Sequence, residues 1–132
     1  MAKTKIQLGK KPTTFKHKVE VPLLDGDIGI VEMLYRYRTR IEFGEFLDQL
    51  FGDARVKLDS PNEEDVAVSL KAALEKTRDT NADYILQIAE GWNLESEFNR
   101  ENVAQLCDEL PGVALAIINV YRSAITEGRL GN

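Results

Sequence analysis

Phe15-Lys16-His17-Lys18-Val19-Glu20-Val21-Pro22-Leu23-Leu24-Asp25-Gly26-Asp27 is the stretch from which the fold is read. Phe15, His17, Val19 and Val21 fall on one side of an extended chain and Lys16, Lys18 and Glu20 on the other, the period of two that marks a strand with one wet face. Asp25-Gly26 supplies turn chemistry, after which Val31, Met33, Tyr35 and Tyr37 alternate with Glu32, Leu34, Arg36 and Arg38. The segment therefore predicts a β-hairpin. A two-residue Asp25-Gly26 loop would pair Val21 with Ile30 and throw the two apolar stripes onto opposite faces. A three-residue loop, Asp25 to Asp27, pairs Val21 with Val31, Val19 with Met33 and Phe15 with Tyr37. This second register is preferred because it gives one apolar and one charged face, although a bulge could achieve the same. A lone hairpin is marginal in water, so its apolar face must pack on something.

What it packs on follows in the chain. Phe43, Phe46, Leu47, Leu50, Phe51 and Ala54 recur at three- and four-residue steps, with Glu42, Glu45, Asp48, Gln49 and Asp53 between them, which predicts an amphipathic helix. Ser60-Pro61-Asn62-Glu63 reads as a second helix start, with serine as cap, proline where its missing N–H is harmless and glutamate closing a capping box. Val66, Leu70, Ala73, Leu74 and Thr77 continue that helix. The polar run Arg78-Asp79-Thr80-Asn81 predicts a kink or interruption, with Asn81 capping a further run through Ile85 and Ile88 that Gly91 ends. Trp92 and Phe98 flank a connector, Asn99 caps a short helix carrying Val103, Leu106, Cys107 and Leu110, and Pro111-Gly112 breaks the chain. A last helix presents Val113, Ile117, Val120, Tyr121 and Ile125 and stops at Gly128. The expected fold class is α+β, mainly α: an N-terminal β-hairpin packed on a bundle of about four or five helices.

The 132 residues suit one unit, and 43% apolar with 30% charged residues is an ordinary globular balance. Residues 1–14 show no sustained period and read as a flexible basic arm, leaving residues 15–132 as a single domain. Lys3, Lys5, Lys10, Lys11, Lys16 and Lys18 precede any carboxylate, so a formal charge of −5 overall leaves −11 on the remainder. That balance argues against a general nucleic-acid binder, which needs clustered cations to displace phosphate counterions. The single cysteine excludes an intramolecular disulfide and, with one histidine, a zinc site, and points to a reducing compartment. No stretch approaches the roughly 20 apolar residues that cross a bilayer, and neither a membrane partner nor a signal peptide is expected.

The search for chemistry leaves little. His17 lies in mid-strand between two lysines with no nucleophile near it in sequence, and Cys107 sits on the apolar stripe of its helix as a buried, inert thiol. Asp25-Gly26-Asp27 fails a calcium-loop template at Ile28, Ile30 and Arg36, and no phosphate-loop, zinc-protease or serine-hydrolase motif occurs. No enzyme, metal or cofactor is expected. Arg36, Arg38 and Arg40 with Tyr35 and Tyr37 form the one basic-aromatic cluster, but alternation separates the rings from the cations. These three arginines, with Trp92 in the connector, are the candidate protein-binding residues. A small nucleic-acid-binding or regulatory adaptor, using the lysine arm and the arginine strand, is the alternative.

Taken together, Phe15 to Pro22, Asp25-Gly26, Tyr35-Arg36-Tyr37-Arg38-Thr39-Arg40 and the helix opening at Glu42-Phe43 resemble the tail assembly chaperones of long-tailed bacteriophages. Trp92-Asn93-Leu94, Leu110-Pro111-Gly112, Tyr121 and the closing Glu127-Gly128-Arg129-Leu130-Gly131-Asn132 look like that family's carboxy-terminal half. The resemblance implies a non-enzymatic chaperone in the cytoplasm of the bacterial host that binds the tape-measure protein, keeps it soluble, helps recruit tail-tube protein and is absent from the mature virion. It also implies self-association and a longer form made by translational frameshift, with which a chain ending at Asn132 is compatible.

Overall fold

The computed structural model describes residues 5–59 and 69–128. The helix start expected at Ser60-Pro61-Asn62-Glu63, and Val66 after it, lie outside these residues. Two strands, β1 (Thr14–Pro22) and β2 (Ile28–Arg36), form the hairpin. Helix α1 (Arg40–Asp59) and helix α2 (Leu70–Ile88) follow, then a short strand β3 (Ala89–Trp92), helix α3 (Arg100–Glu109) and helix α4 (Val113–Glu127). The class is α+β and mainly α, with the hairpin at the amino-terminal end of the chain order.

The hairpin forms in a register two residues from the preferred one. Val19 pairs with Val31, His17 with Met33 and Phe15 with Tyr35. The loop runs from Leu23 to Asp27: Leu23 N–H donates to the Asp27 carbonyl at 2.8 Å, Asp27 N–H donates to Asp25 Oδ1 at 3.0 Å, and Gly26 takes the left-handed φ of 92°. Asp25-Gly26 thus makes the turn inside a wider loop than its sequence suggests. A two-residue shift preserves parity, so Phe15, Val19, Val21, Val31, Met33 and Tyr35 still share one buried face.

A third strand extends the hairpin. The helical period was expected to run to Gly91, but α2 stops at Ile88 and Ala89 turns extended, laying β3 antiparallel to β2 with Trp92 opposite Met33 and Gly91 opposite Leu34. Asn93 completes the junction: its N–H donates to the Glu32 carbonyl at 3.1 Å, and its Oδ1 accepts from Glu32 N–H at 2.9 Å. The expected interruption at Arg78-Asp79-Thr80-Asn81 does not occur. Thr77 and Thr80 donate their hydroxyls to the Ala73 and Lys76 carbonyls, and Arg78 pairs with Asp79, so the polar run is satisfied within a continuous helix.

Three of the expected punctuation marks hold. Asn99 caps α3 by accepting from Asn102 N–H at 2.9 Å. Pro111-Gly112 turns the chain so that the axes of α3 and α4 differ by 110°, and Gly128 closes α4 at a left-handed φ of 74°. Gly112 is also a point of close approach: a Cβ there would meet Pro22 Cγ at 3.0 Å, so the α3–α4 turn rests on the end of β1.

The helices lie on one face of the sheet, and the core forms between them. Tyr121 of α4 stands among Phe15, Tyr35 and Phe43, with ring centroids 6.2, 5.2 and 5.6 Å away, so one side chain joins both hairpin strands and α1. Tyr35 donates its hydroxyl to the Ile117 carbonyl at 2.8 Å, stitching the central strand to α4. Burial in this aromatic cluster raises the pKa of both phenols above their ordinary value.

Candidate functional site

Folding disperses the basic-aromatic cluster. Arg36, the last residue of β2, is exposed and stands 3.8 Å from Glu90 of β3. Arg38 lies past the end of the strand and turns inward: its guanidinium donates to Tyr121 Oη at 3.1 Å and to the Gln87 carbonyl at 3.0 Å, and sits 4.3 Å over the Phe46 ring. Arg40 is exposed at the first residue of α1. The three therefore occupy three different surroundings instead of one basic row. Trp92 is half-buried, with Nε1 donating to the Ser96 carbonyl at 2.7 Å and its ring edge-on to Phe98 at 5.1 Å, which holds the connector between β3 and α3.

The remaining reactive groups are equally local. His17 lines a groove with Ser123 and Glu127, yet its ring Nδ1 donates to the Lys18 carbonyl at 2.8 Å, and no hydrogen bond joins histidine to serine among the described residues. Burial pushes the Cys107 thiol up to about 11, which keeps it protonated and unreactive at neutral pH. No group of three or more histidine, cysteine or carboxylate side chains suited to a metal ion occurs among the described residues.

The surfaces with most binding potential are apolar ones that sequence reading passed over. On β2, Ile28 and Ile30 point away from the helices and are 65% and 58% exposed, with Leu34 half-buried further along the same face. No helix among the described residues covers that side of the sheet, so the central strand carries an aliphatic stripe into solvent. The parity of the strand could have revealed it: isoleucines occupy even positions where the wet face calls for polar residues. Leu70 and Leu74, 75% and 60% exposed at the amino-terminal end of α2, form a second, smaller patch. Exposed Ile6 and Leu8 lie in the segment before β1, where Lys11 reaches Glu42 at 3.7 Å.

A three-stranded sheet with helices on one side and an open, partly aliphatic face on the other defines a small α+β protein whose surface offers contacts to other proteins. The chain belongs to the phage tail assembly chaperone family, whose profile matches residues 1–132, its whole length. Membership makes it a phage protein of tail assembly, acting inside the host cell while virions are built and meeting tail proteins there. The family is one of chaperones. No curated protein and no solved structure matches the chain.

Proposed function

We propose that this chaperone binds the tape-measure protein, keeps it soluble until the tail tube forms around it, and helps recruit tail-tube subunits. The observation that carries the reading is the family match over the whole chain. It is supported by an open sheet face bearing Ile28 and Ile30, the kind of surface that shields the apolar seam of a helical rod. Weak contacts in many copies suffice for a long client, because linked sites add their affinities through effective concentration. The chain acts in the host cytoplasm, leaves before the virion is complete, associates with itself and works beside a longer frameshifted form of itself. Binding is its whole activity. Neither a cofactor nor nucleic acid takes part.

Co-expression with a tape-measure protein from a long-tailed phage tests the reading. The soluble fraction of the tape-measure protein rises several-fold with the chaperone present, and the two co-purify. An unchanged soluble fraction, with the chaperone itself folded and abundant, overturns it.

A further inference from the structure

β1 is an outer strand of the sheet, whose order is β1-β2-β3. The Thr13 carbonyl accepts from Tyr37 N–H at 3.0 Å and the Asp27 carbonyl from Leu23 N–H at 2.8 Å. With the antiparallel register these bonds assign the odd-numbered residues of β1 to the hydrogen-bonded pairs with β2. The even-numbered residues Lys16, Lys18 and Glu20 therefore turn their N–H and C=O groups outward. One of those groups is capped, since His17 Nδ1 donates to the Lys18 carbonyl at 2.8 Å. The edge runs without a bulge for nine residues, and the register break in the sheet lies on the far side, between β2 and β3. A long regular edge of this kind is a template for another strand.

We propose that two copies of this chain pair β1 with β1, antiparallel about a two-fold axis at Val19, joining their sheets into one. The side chains select both the occupant and the register. Because the outward groups sit on even-numbered residues in both copies, the available registers differ by steps of two residues. One register sets Lys18 opposite Lys18 of the second copy between two Lys16–Glu20 pairs, another sets Lys16 opposite Lys18 twice, and a third sets Glu20 opposite Glu20. A fourth register sets Lys18 opposite Glu20 twice, and Lys16 opposite Pro22, whose missing N–H ends the ladder. Only there are all the facing charges unlike, and cross-strand pairs of unlike charge stabilise while like ones repel. The lysines that guard the edge against other strands are thus neutralised by this chain's own glutamates.

The surface beneath the edge fits the same arrangement. His17 and α4 leave a groove of about 320 Å³ along β1, lined by Asn119, Val120, Ser123, Ala124 and Glu127. A two-fold axis perpendicular to the joined sheet places both copies of α4 on the same side, each beside this groove, where the short side chains of Ser123 and Ala124 leave room for a second helix.

The inference rests on the self-association proposed above, gives it a surface, and is tested without any tape-measure protein. Light scattering and sedimentation across a concentration series should find the full chain dimeric. Lys18→Glu and Glu20→Lys should each weaken the dimer about tenfold or more, and the double variant Lys18→Glu/Glu20→Lys should recover it because unlike charges face again. Both residues are exposed, so circular dichroism should stay that of the wild type. Hydrogen exchange gives an independent reading: the Lys18 and Glu20 amides, unpaired in a monomer, become protected as concentration rises. A monomer at every concentration overturns both this surface and self-association. An oligomer indifferent to the two reversals, or one not recovered by the double variant, overturns this surface alone.

Discussion

Arg38 and Tyr84 show how little the chemical type of a residue says about its role before the fold is known. Strand alternation sends Arg38 to the charged face, but alternation holds only while the strand lasts, and β2 ends at Arg36. Two residues later the guanidinium is fixed by Tyr121, Gln87 and the face of Phe46, so it ties α1, α2 and α4 together. Lysine lacks the planar fork needed to reach all three. Arg38→Lys should therefore lower unfolding free energy by about 1–3 kcal/mol in urea titrations, the range for lost charge-assisted hydrogen bonds. Tyr84 is the opposite case. Its hydroxyl is buried without a hydrogen-bond partner among the described residues, and burial raises its pKa. Tyr84→Phe removes a desolvated group and no bond, so stability should hold or rise by up to about 1 kcal/mol. A clear loss would mean that the hydroxyl has a partner in solution.

Among the elements, those with strong local punctuation were legible. Asn99, Pro111-Gly112 and Gly128 each do what their chemistry predicts, because caps and turns depend on a few neighbours. The α2–β3 boundary was not legible: Ile85, Ile88 and Ala89 keep a helical period, and only the open side of β2 explains why the chain turns extended at Ala89. The start of α1 lay open in the sequence and went unread. Thr39 and Glu42 form a capping box, with Glu42 N–H donating to Thr39 Oγ1 at 3.2 Å and Thr39 N–H to Glu42 Oε1 at 2.8 Å. The Thr39 backbone hydrogen bond holds the Glu42 carboxyl below its usual range, with Thr39's hydroxyl and Lys11 adding to the effect. A carboxylate with a lowered folded pKa stabilises above its unfolded pKa, and that contribution is lost as pH falls through the folded value. Thr39→Ala should cost about 1 kcal/mol at neutral pH, the usual worth of an N-cap. The variant keeps the backbone N–H that serves Glu42, so both proteins lose the carboxylate's contribution as pH falls and the deficit should change little; a deficit that narrows clearly in acid would show the hydroxyl acting through the carboxylate.

At the scale of the molecule, the layer arrangement was legible and the uncovered layer was not. Apolar parity gave the inner face of the sheet correctly even in a shifted register, because a two-residue slip moves no side chain across the sheet. Exposure of the outer face is a tertiary fact, visible only once the described helices are seen on the other side. On the proposed function, a helical client laid across Ile28 and Ile30 would supply the layer that the sheet lacks, and the proposed β1–β1 pairing, which keeps even-numbered residues of both copies on one side, would double that platform. Ile28 and Ile30 stand opposite Pro22 and Glu20 of β1, so their part of the stripe is held in the hairpin ladder. Leu70 and Leu74 instead lie on the first turns of α2, where residues 69–77 are all exposed and no core residue anchors them. The sheet is accordingly the better client surface, and paired variants decide the matter. Ile28→Glu/Ile30→Glu should cost no more than about 1 kcal/mol, because both side chains are exposed, yet abolish the gain in soluble tape-measure protein on co-expression. Leu70→Glu/Leu74→Glu should leave that gain intact. The reverse result moves the contact to α2, and full activity in both variants removes the client from both surfaces.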